Sequence, residues 1–240
     1  VTKLGGLPFN LSNSFAQPLT CGELLALTRA RGDEALVKAY SDHGLGYTPN
    51  GGSRDLREEV ARLYTEVGAD GVVVFPGAQV ALQTASLALV GKGDHAIVFT
   101  PGYQSVVEAP LHAGAEVTRI PLRFADGWDV DVDAVRAAIV PGKTRYLVLN
   151  QPYNPAGTLV SRSTFFSLIA LARAHGLWVL CDEVYRLLEH DAGDRLPAIA
   201  DAYERGISCV TMSKPWGACG VSIGWLAFSN TADGLRERLL

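Results

Sequence analysis

The stretch TMSKPWGACGVSIGW, residues 211–225, sets one lysine, Lys214, between the end of an apolar run and a glycine-rich turn. A lysine amine can attack a carbonyl or carry a proton once it has shed its charge; otherwise, a lysine after a strand is an ordinary solvated residue. Other polar and aromatic residues follow apolar runs in the same way. Gly77, Ala78 and Gln79 come after 71–75, Tyr103 after 96–100, Asn154 after 145–149, and Asp182 and Tyr185 close the run 177–185. Singly, each has a plain structural reading: Asn-Pro opens turns, an acid ends a strand, a tyrosine packs.

Six short runs rich in Val, Ile and Leu, at 71–77, 95–102, 145–152, 177–185, 209–214 and 223–229, are apolar on successive residues, which suits strands covered on both faces. Helical spacing fills 54–67, 78–90, 130–140 and 163–175, so the order reads strand, helix, strand, helix: α/β organisation. The first 45 or so residues read as an arm plus a helix. In an open parallel sheet, ligands collect beyond the carboxyl ends of the strands, where the residues named above stand.

A 240-residue chain that is 48% hydrophobic can bury a large core. Its net charge of −4 and scattered Lys and Arg give no basic field for nucleic acid. No apolar stretch is long enough to span a bilayer. Cys21, Cys181, Cys209 and Cys219 have neither disulfide-framework nor zinc-knuckle spacing, which points to a reducing cytoplasm and no metal.

Taken in order, GYTPNGGSRDLREEVA, PGAQVAL, GDHAIVFTPGY, NQPYNPAG, DEVY and SKPWGACGVSIGW resemble the large domain of the fold-type I pyridoxal-phosphate enzymes, the aspartate aminotransferase superfamily, from about Tyr47 to Trp225. The resemblance implies an α/β fold with a mostly parallel seven-stranded sheet and helices on both faces. It implies an arm with a first helix over 1–45, a cofactor-binding large domain over 46–230 and the start of an interdomain helix over 231–240. The family's smaller C-terminal domain would follow Leu240 and is absent from this chain. Lys214 matches the lysine that forms the internal aldimine with pyridoxal 5′-phosphate and then serves as base at the substrate Cα. Asp182 matches the partner of the ring nitrogen, Asn154 and Tyr185 the pair at the phenolic oxygen, and Tyr103 the ring stacked on the cofactor. Gly77, Ala78, Gln79 and Thr211 match the phosphate site, where a helix N-terminus attracts an anion. Tyr47 matches a tyrosine that reaches the neighbouring subunit's phosphate, which implies a homodimer with shared sites.

Three features depart from that pattern. Ser222 stands eight residues after the lysine, where the family carries a phosphate-binding arginine. Asn13-Ser14-Phe15 stands where many aminotransferases carry a glycine, and the surrounding spacing is similar to the arm of capreomycidine-synthase-type enzymes. The domain with the carboxylate-binding arginine is the third. Two reactions therefore stay open: transfer of an amino group between an amino acid and a keto acid, or a lyase or cyclase reaction on the same Cα carbanion, such as elimination and ring closure of a hydroxyarginine. An effector-sensing domain of a transcription regulator would need a DNA-binding module, which nothing here resembles. A dinucleotide-dependent dehydrogenase would need Gly-x-Gly-x-x-Gly, which does not follow the run at 71–75.

Overall fold

The computed structural model describes residues 14, 16–229 and 234–240. Seven strands form one sheet: β1 (Val72–Phe75), β2 (His95–Thr100), β3 (Glu116–Pro121), β4 (Thr144–Asn150), β5 (Trp178–Asp182), β6 (Gly206–Thr211) and β7 (Gly224–Phe228). Their order is β1-β7-β6-β5-β4-β2-β3, with β7 antiparallel to both its neighbours and every other pairing parallel. Two reversals restore the direction of β1. The carboxyl ends of β1, β2, β4, β5 and β6 thus share one edge of the sheet with the first residue of β7, Gly224.

Nine helices accompany the strands among the described residues: α1 (Cys21–Ala30), α2 (Glu34–Ser41), α3 (Arg54–Ala61), α4 (Ala78–Leu89), α5 (Gln104–His112), α6 (Val132–Ala138), α7 (Arg162–His175), α8 (Ile199–Ala202) and α9 (Leu235–Leu239). The pleat sorts them onto two faces. Ala96 and Val98 of β2 pack with Leu82, Val106 and Leu235 from α4, α5 and α9, whereas Ile97 and Phe99 pack with Val135 and Leu168 from α6 and α7. A third cluster joins α3 to β1 and β7 through Val60, Val72 and Trp225, whose indole donates to Tyr64 Oη at 3.0 Å.

The fold is the expected mixed, mostly parallel α/β sheet, with corrections of detail. β3 and α5 lie outside the six runs and four helical segments read from the sequence. The described part of the first 45 residues holds two helices, not one. α1 opens on a reciprocal cap, in which Thr20 Oγ1 accepts from Glu23 N–H at 3.1 Å and Glu23 Oε2 accepts from Thr20 N–H at 2.7 Å. The helix expected over 54–67 stops at Ala61, because Asp201 Oδ1 captures the N–H groups of Thr65 and Glu66 at 3.0 and 2.9 Å. The helix-like tail forms α9, preceded by residues outside the described set.

Candidate active site

The side chains that reach the shared edge do so by local causes. Asp182 ends β5, the strand between β4 and β6, and is only 3% exposed. Burial pushes its carboxyl from an ordinary 3.8 up to about 7, against the opposing pull of the Val184 N–H, 3.3 Å from Oδ1, and of the Lys214 charge. The same burial pushes Glu183 to about 7. That side chain points the other way along the strand, and its Oε1 accepts the Ile199 N–H at 2.7 Å.

Asn154 sits in the loop after β4, and Asn150 holds that loop. The Asn150 amide donates to the Asp182 carbonyl at 2.8 Å, and its Oδ1 accepts the Asn154 N–H at 2.7 Å. A Tyr153–Thr158 bridge closes the loop behind it. Tyr185 lies three residues beyond Asp182, with its hydroxyl 2.8 Å from Ser14 Oγ.

Thr211 ends β6 and is buried. Its hydroxyl donates to the Ile223 carbonyl at 2.9 Å and lies 3.1 Å from Ser213 Oγ. Lys214 follows in a turn closed by Ala218 N–H to Met212 O at 3.2 Å; its Nζ lies 3.5 Å from Ser14 Oγ and 5.5 Å from the Tyr185 ring centroid.

Across the edge, α4 presents its N-terminus. Gly77 caps it at φ 95°, a backbone region that suits glycine, and offers no side chain to the first free amides. Gly224 lets β7 approach that helix end: a Cβ there would lie 2.6 Å from Ala78 N and from Gly77 C.

Ser14, Ala78, Gln79, Leu82, Tyr103, Asn154, Asp182, Val184, Tyr185, Thr211, Ser213, Lys214 and Cys219 line one cavity of about 290 Å³. Nine of the residues singled out from sequence are therefore gathered: eight in the lining, with Gly77 at the helix cap. Two are not. Tyr47 is fully exposed and lies outside the lining, and Ser222 is exposed at φ 54° after a short 3-10 turn, with its carbonyl 4.0 Å from where a Gly77 Cβ would lie. Ser14, the one described member of Asn13-Ser14-Phe15, enters the cavity; Asn13 and Phe15 lie outside the described residues. Ser213, Cys219 and Asn150 were missed. A serine beside a lysine and an asparagine inside an apolar strand carry no periodic signal.

The donor set fits pyridoxal phosphate. A buried carboxyl facing this cavity would supply the counter-charge for a protonated ring nitrogen. The bare helix N-terminus with Thr211 and Ser213 offers neutral donors to a phosphate, and the amine of Lys214 faces the same space. Among the described residues, no three His, Cys, Asp or Glu side chains gather to hold a metal ion.

A mostly parallel sheet with this edge defines the large domain of a fold-type I pyridoxal-phosphate enzyme. The family model for aminotransferase class I and II matches residues 19–237, and the chain belongs to that family. The arginine–pyruvate transaminase AruH of Pseudomonas aeruginosa is 36% identical over 73% of this chain and 46% of its own length. A probable aspartate aminotransferase of Methanocaldococcus jannaschii is 28% identical over 92% and 59%. Among solved structures, a PLP-dependent aminotransferase from Streptococcus suis superposes with a TM-score of 0.85 at 30% identity, covering 95% of this chain and 59% of that one. YbdL of Escherichia coli, described as having a methionine aminotransferase function, gives 0.81 at 27%, covering 96% and 61%. The chain thus spans about half the length of the curated relatives it matches. Family members use pyridoxal phosphate.

Proposed function

We propose that the protein acts on the α-amino group of an amino acid with pyridoxal phosphate, as an aminotransferase. The observation that carries this reading is the convergence of Lys214 and Asp182, on the ends of the adjacent strands β6 and β5, onto one cavity with the N-terminus of α4. When bound, the cofactor supplies an aldehyde that joins covalently to amines and a ring that takes up the electron pair left when the substrate Cα loses its proton. Lys214 would hold the cofactor through its aldehyde and would then move the proton at the substrate Cα. Asp182 would keep the ring nitrogen protonated, Asn154 and Tyr185 would donate to the ring oxygen, Tyr103 would pack on the ring, and the amides of Ala78 and Gln79 with Thr211 and Ser213 would hold the phosphate.

The relatives' names put arginine, N-succinyldiaminopimelate and aspartate among their amino donors, so the proposed substrates are an α-amino acid and a keto acid. Every relative named is a transaminase, and nothing favours the lyase or cyclase alternative. In this reading, residues 46–230 bind the cofactor, 1–45 form an arm with helices and 231–240 begin an interdomain helix. Tyr47, fully exposed, reaches a second subunit of a homodimer. Four free cysteines support a cytoplasmic enzyme.

Incubation with pyridoxal phosphate followed by borohydride should leave a pyridoxyl group on the Lys214 peptide of the wild type and none on Lys214→Ala. Label on surface lysines with Lys214 clean would sink the reading. With an amino acid and pyruvate, alanine should appear; ammonia in its place would favour the lyase reaction.

A further inference from the structure

We propose that Ser14 is a positioning residue that ties Lys214 and Tyr185 into one unit. Its hydroxyl lies 2.8 Å from Tyr185 Oη and accepts from Lys214 Nζ at 3.5 Å, while that Nζ stands 5.5 Å from the Tyr185 ring centroid. A lysine side chain is long and flexible, and the bond to Ser14 is a long one. Two contacts bear on the amine, the Ser14 hydroxyl and the Tyr185 ring face, and the Ser14–Tyr185 bond links the two.

The backbone gives Ser14 its place independently of those contacts. Residues 17–19 are stitched to the turn that carries Lys214: Leu19 N–H donates to the Gly217 carbonyl at 3.2 Å. Gly217, at φ 59°, lies so close beneath the arm that a Cβ there would stand 3.0 Å from the Gln17 carbonyl oxygen. Residues 17–19 and the lysine turn are therefore one local structure, and Ser14 meets the same turn although 200 residues separate it from Lys214.

Ser14 also stands at a boundary. With Asn154 and Tyr185, it lines both the 290 Å³ cavity and an adjoining open cleft of about 800 Å³ that runs along the Pro152–Arg162 loop to Leu188 and Asp194. A molecule passing from cleft to cavity along this shared lining passes Ser14, Asn154 and Tyr185. A glycine or alanine at this position would leave the doorway wider and the lysine amine less restrained.

The consequence for cofactor capture rests on the function proposed above; the restraint on the amine does not, and two assays on wild type, Ser14→Ala and Ser14→Thr separate them. In the cofactor-free full chain, acetylation of Lys214, read by peptide mass spectrometry against Lys92 and Lys143, should rise by about threefold in Ser14→Ala and return in Ser14→Thr. With pyridoxal phosphate, the rate of borohydride-trapped attachment at Lys214 should fall by about threefold or more in Ser14→Ala, with the equilibrium Kd for pyridoxal phosphate within about twofold of wild type, and recover with the threonine hydroxyl. An alanine variant that labels like wild type, or a threonine variant as changed as alanine, overturns the positioning role. A wild type that labels as expected but traps nothing sinks the cofactor reading and leaves the restraint standing.

Discussion

In the proposed function, Asp182 combines a requirement of the chemistry with a cost to the fold. Its carboxyl is buried, receives one backbone N–H at Oδ1 and sits at about 7 in the folded chain against about 3.8 in an unfolded one. The folded state therefore binds this proton more tightly. Its contribution is fully present below about pH 4 and is lost as pH rises toward 7 and beyond, where a bare carboxylate must be held in the cavity. In the cofactor-free protein, Asp182→Asn should raise Tm at pH 8 and leave it nearly unchanged at pH 4, because the amide carries no charge at either pH. Glu183 is present in both proteins, so the difference isolates residue 182. The same variant should lower turnover with bound cofactor by about 100-fold or more, since a neutral amide no longer favours a positive ring nitrogen. A Tm difference that is equal at both pH values would show that burial of charge is not the cause.

At the scale of elements, the active edge depends on how closely β7 and α4 approach. Gly224 is the contact point, and Gly224→Ala would drive a methyl into Ala78 N and Gly77 C, both backbone atoms with no side chain to swing aside. The N-terminus of α4 must then move. We expect the Kd for pyridoxal phosphate, followed by quenching of protein fluorescence, to weaken by about tenfold or more, with a stability loss of about 1–3 kcal/mol in urea unfolding.

On the far side of the sheet, His95 clips β2 to both its neighbours. His95 Nδ1 lies 2.8 Å from Thr144 Oγ1, which also accepts the Val140 N–H at 2.7 Å, and Nε2 lies 2.9 Å from Thr118 Oγ1. A neutral ring donates through one nitrogen and accepts at the other. Burial lowers the His95 pKa below the usual 6.5, Glu116 opposes and Lys143 assists. The stability the clip contributes is complete above about pH 6.5 and is lost as pH falls through the lowered value. His95→Gln should flatten the acid limb of a Tm–pH curve between pH 7 and 5; an identical limb in both proteins counts against the clip.

These elements also explain what could be read from the sequence. The five strands buried on both faces, together with β1, announced themselves as apolar runs, and the residues at their carboxyl ends stood out because they broke those runs. β3 did not: Glu116–Pro121 is an edge strand, exposed at Glu116, Arg119 and Pro121 with only Ile120 buried, and EVTRIP reads as polar as a loop. In the sequence, Ser14 stands out only as part of a departure from a family glycine, since a contact spanning 200 residues has no local signature.

For the molecule as a whole, the last described helix closes the first strand. β1 is an edge strand of only four residues, paired on one side by β7; on the other, its Val74 N–H donates to Gly51 O at 2.9 Å. α9 lies over this corner. Leu235 and Leu239 are buried in the same core as α4 and Phe228, Arg236 donates to the carbonyls of Asp70 and Val72 at 3.1 and 2.8 Å, and Leu240 touches the loop at Gly51. Burying two leucines contributes about 4 kcal/mol, and two hydrogen bonds from a guanidinium add about 2. Set against a total stability of about 5–15 kcal/mol, that sum is large enough to decide whether β1 stays paired. Deleting residues 234–240 should therefore cost about 4–6 kcal/mol in urea unfolding. Leu235→Ala alone should cost about 2–4, and Arg236→Ala about 1–2, because its two carbonyls can turn to water. Amide hydrogen exchange should rise first in β1 and the loop at Gly51. A deletion that leaves both the urea midpoint and β1 exchange unchanged would show that β7 alone holds the corner.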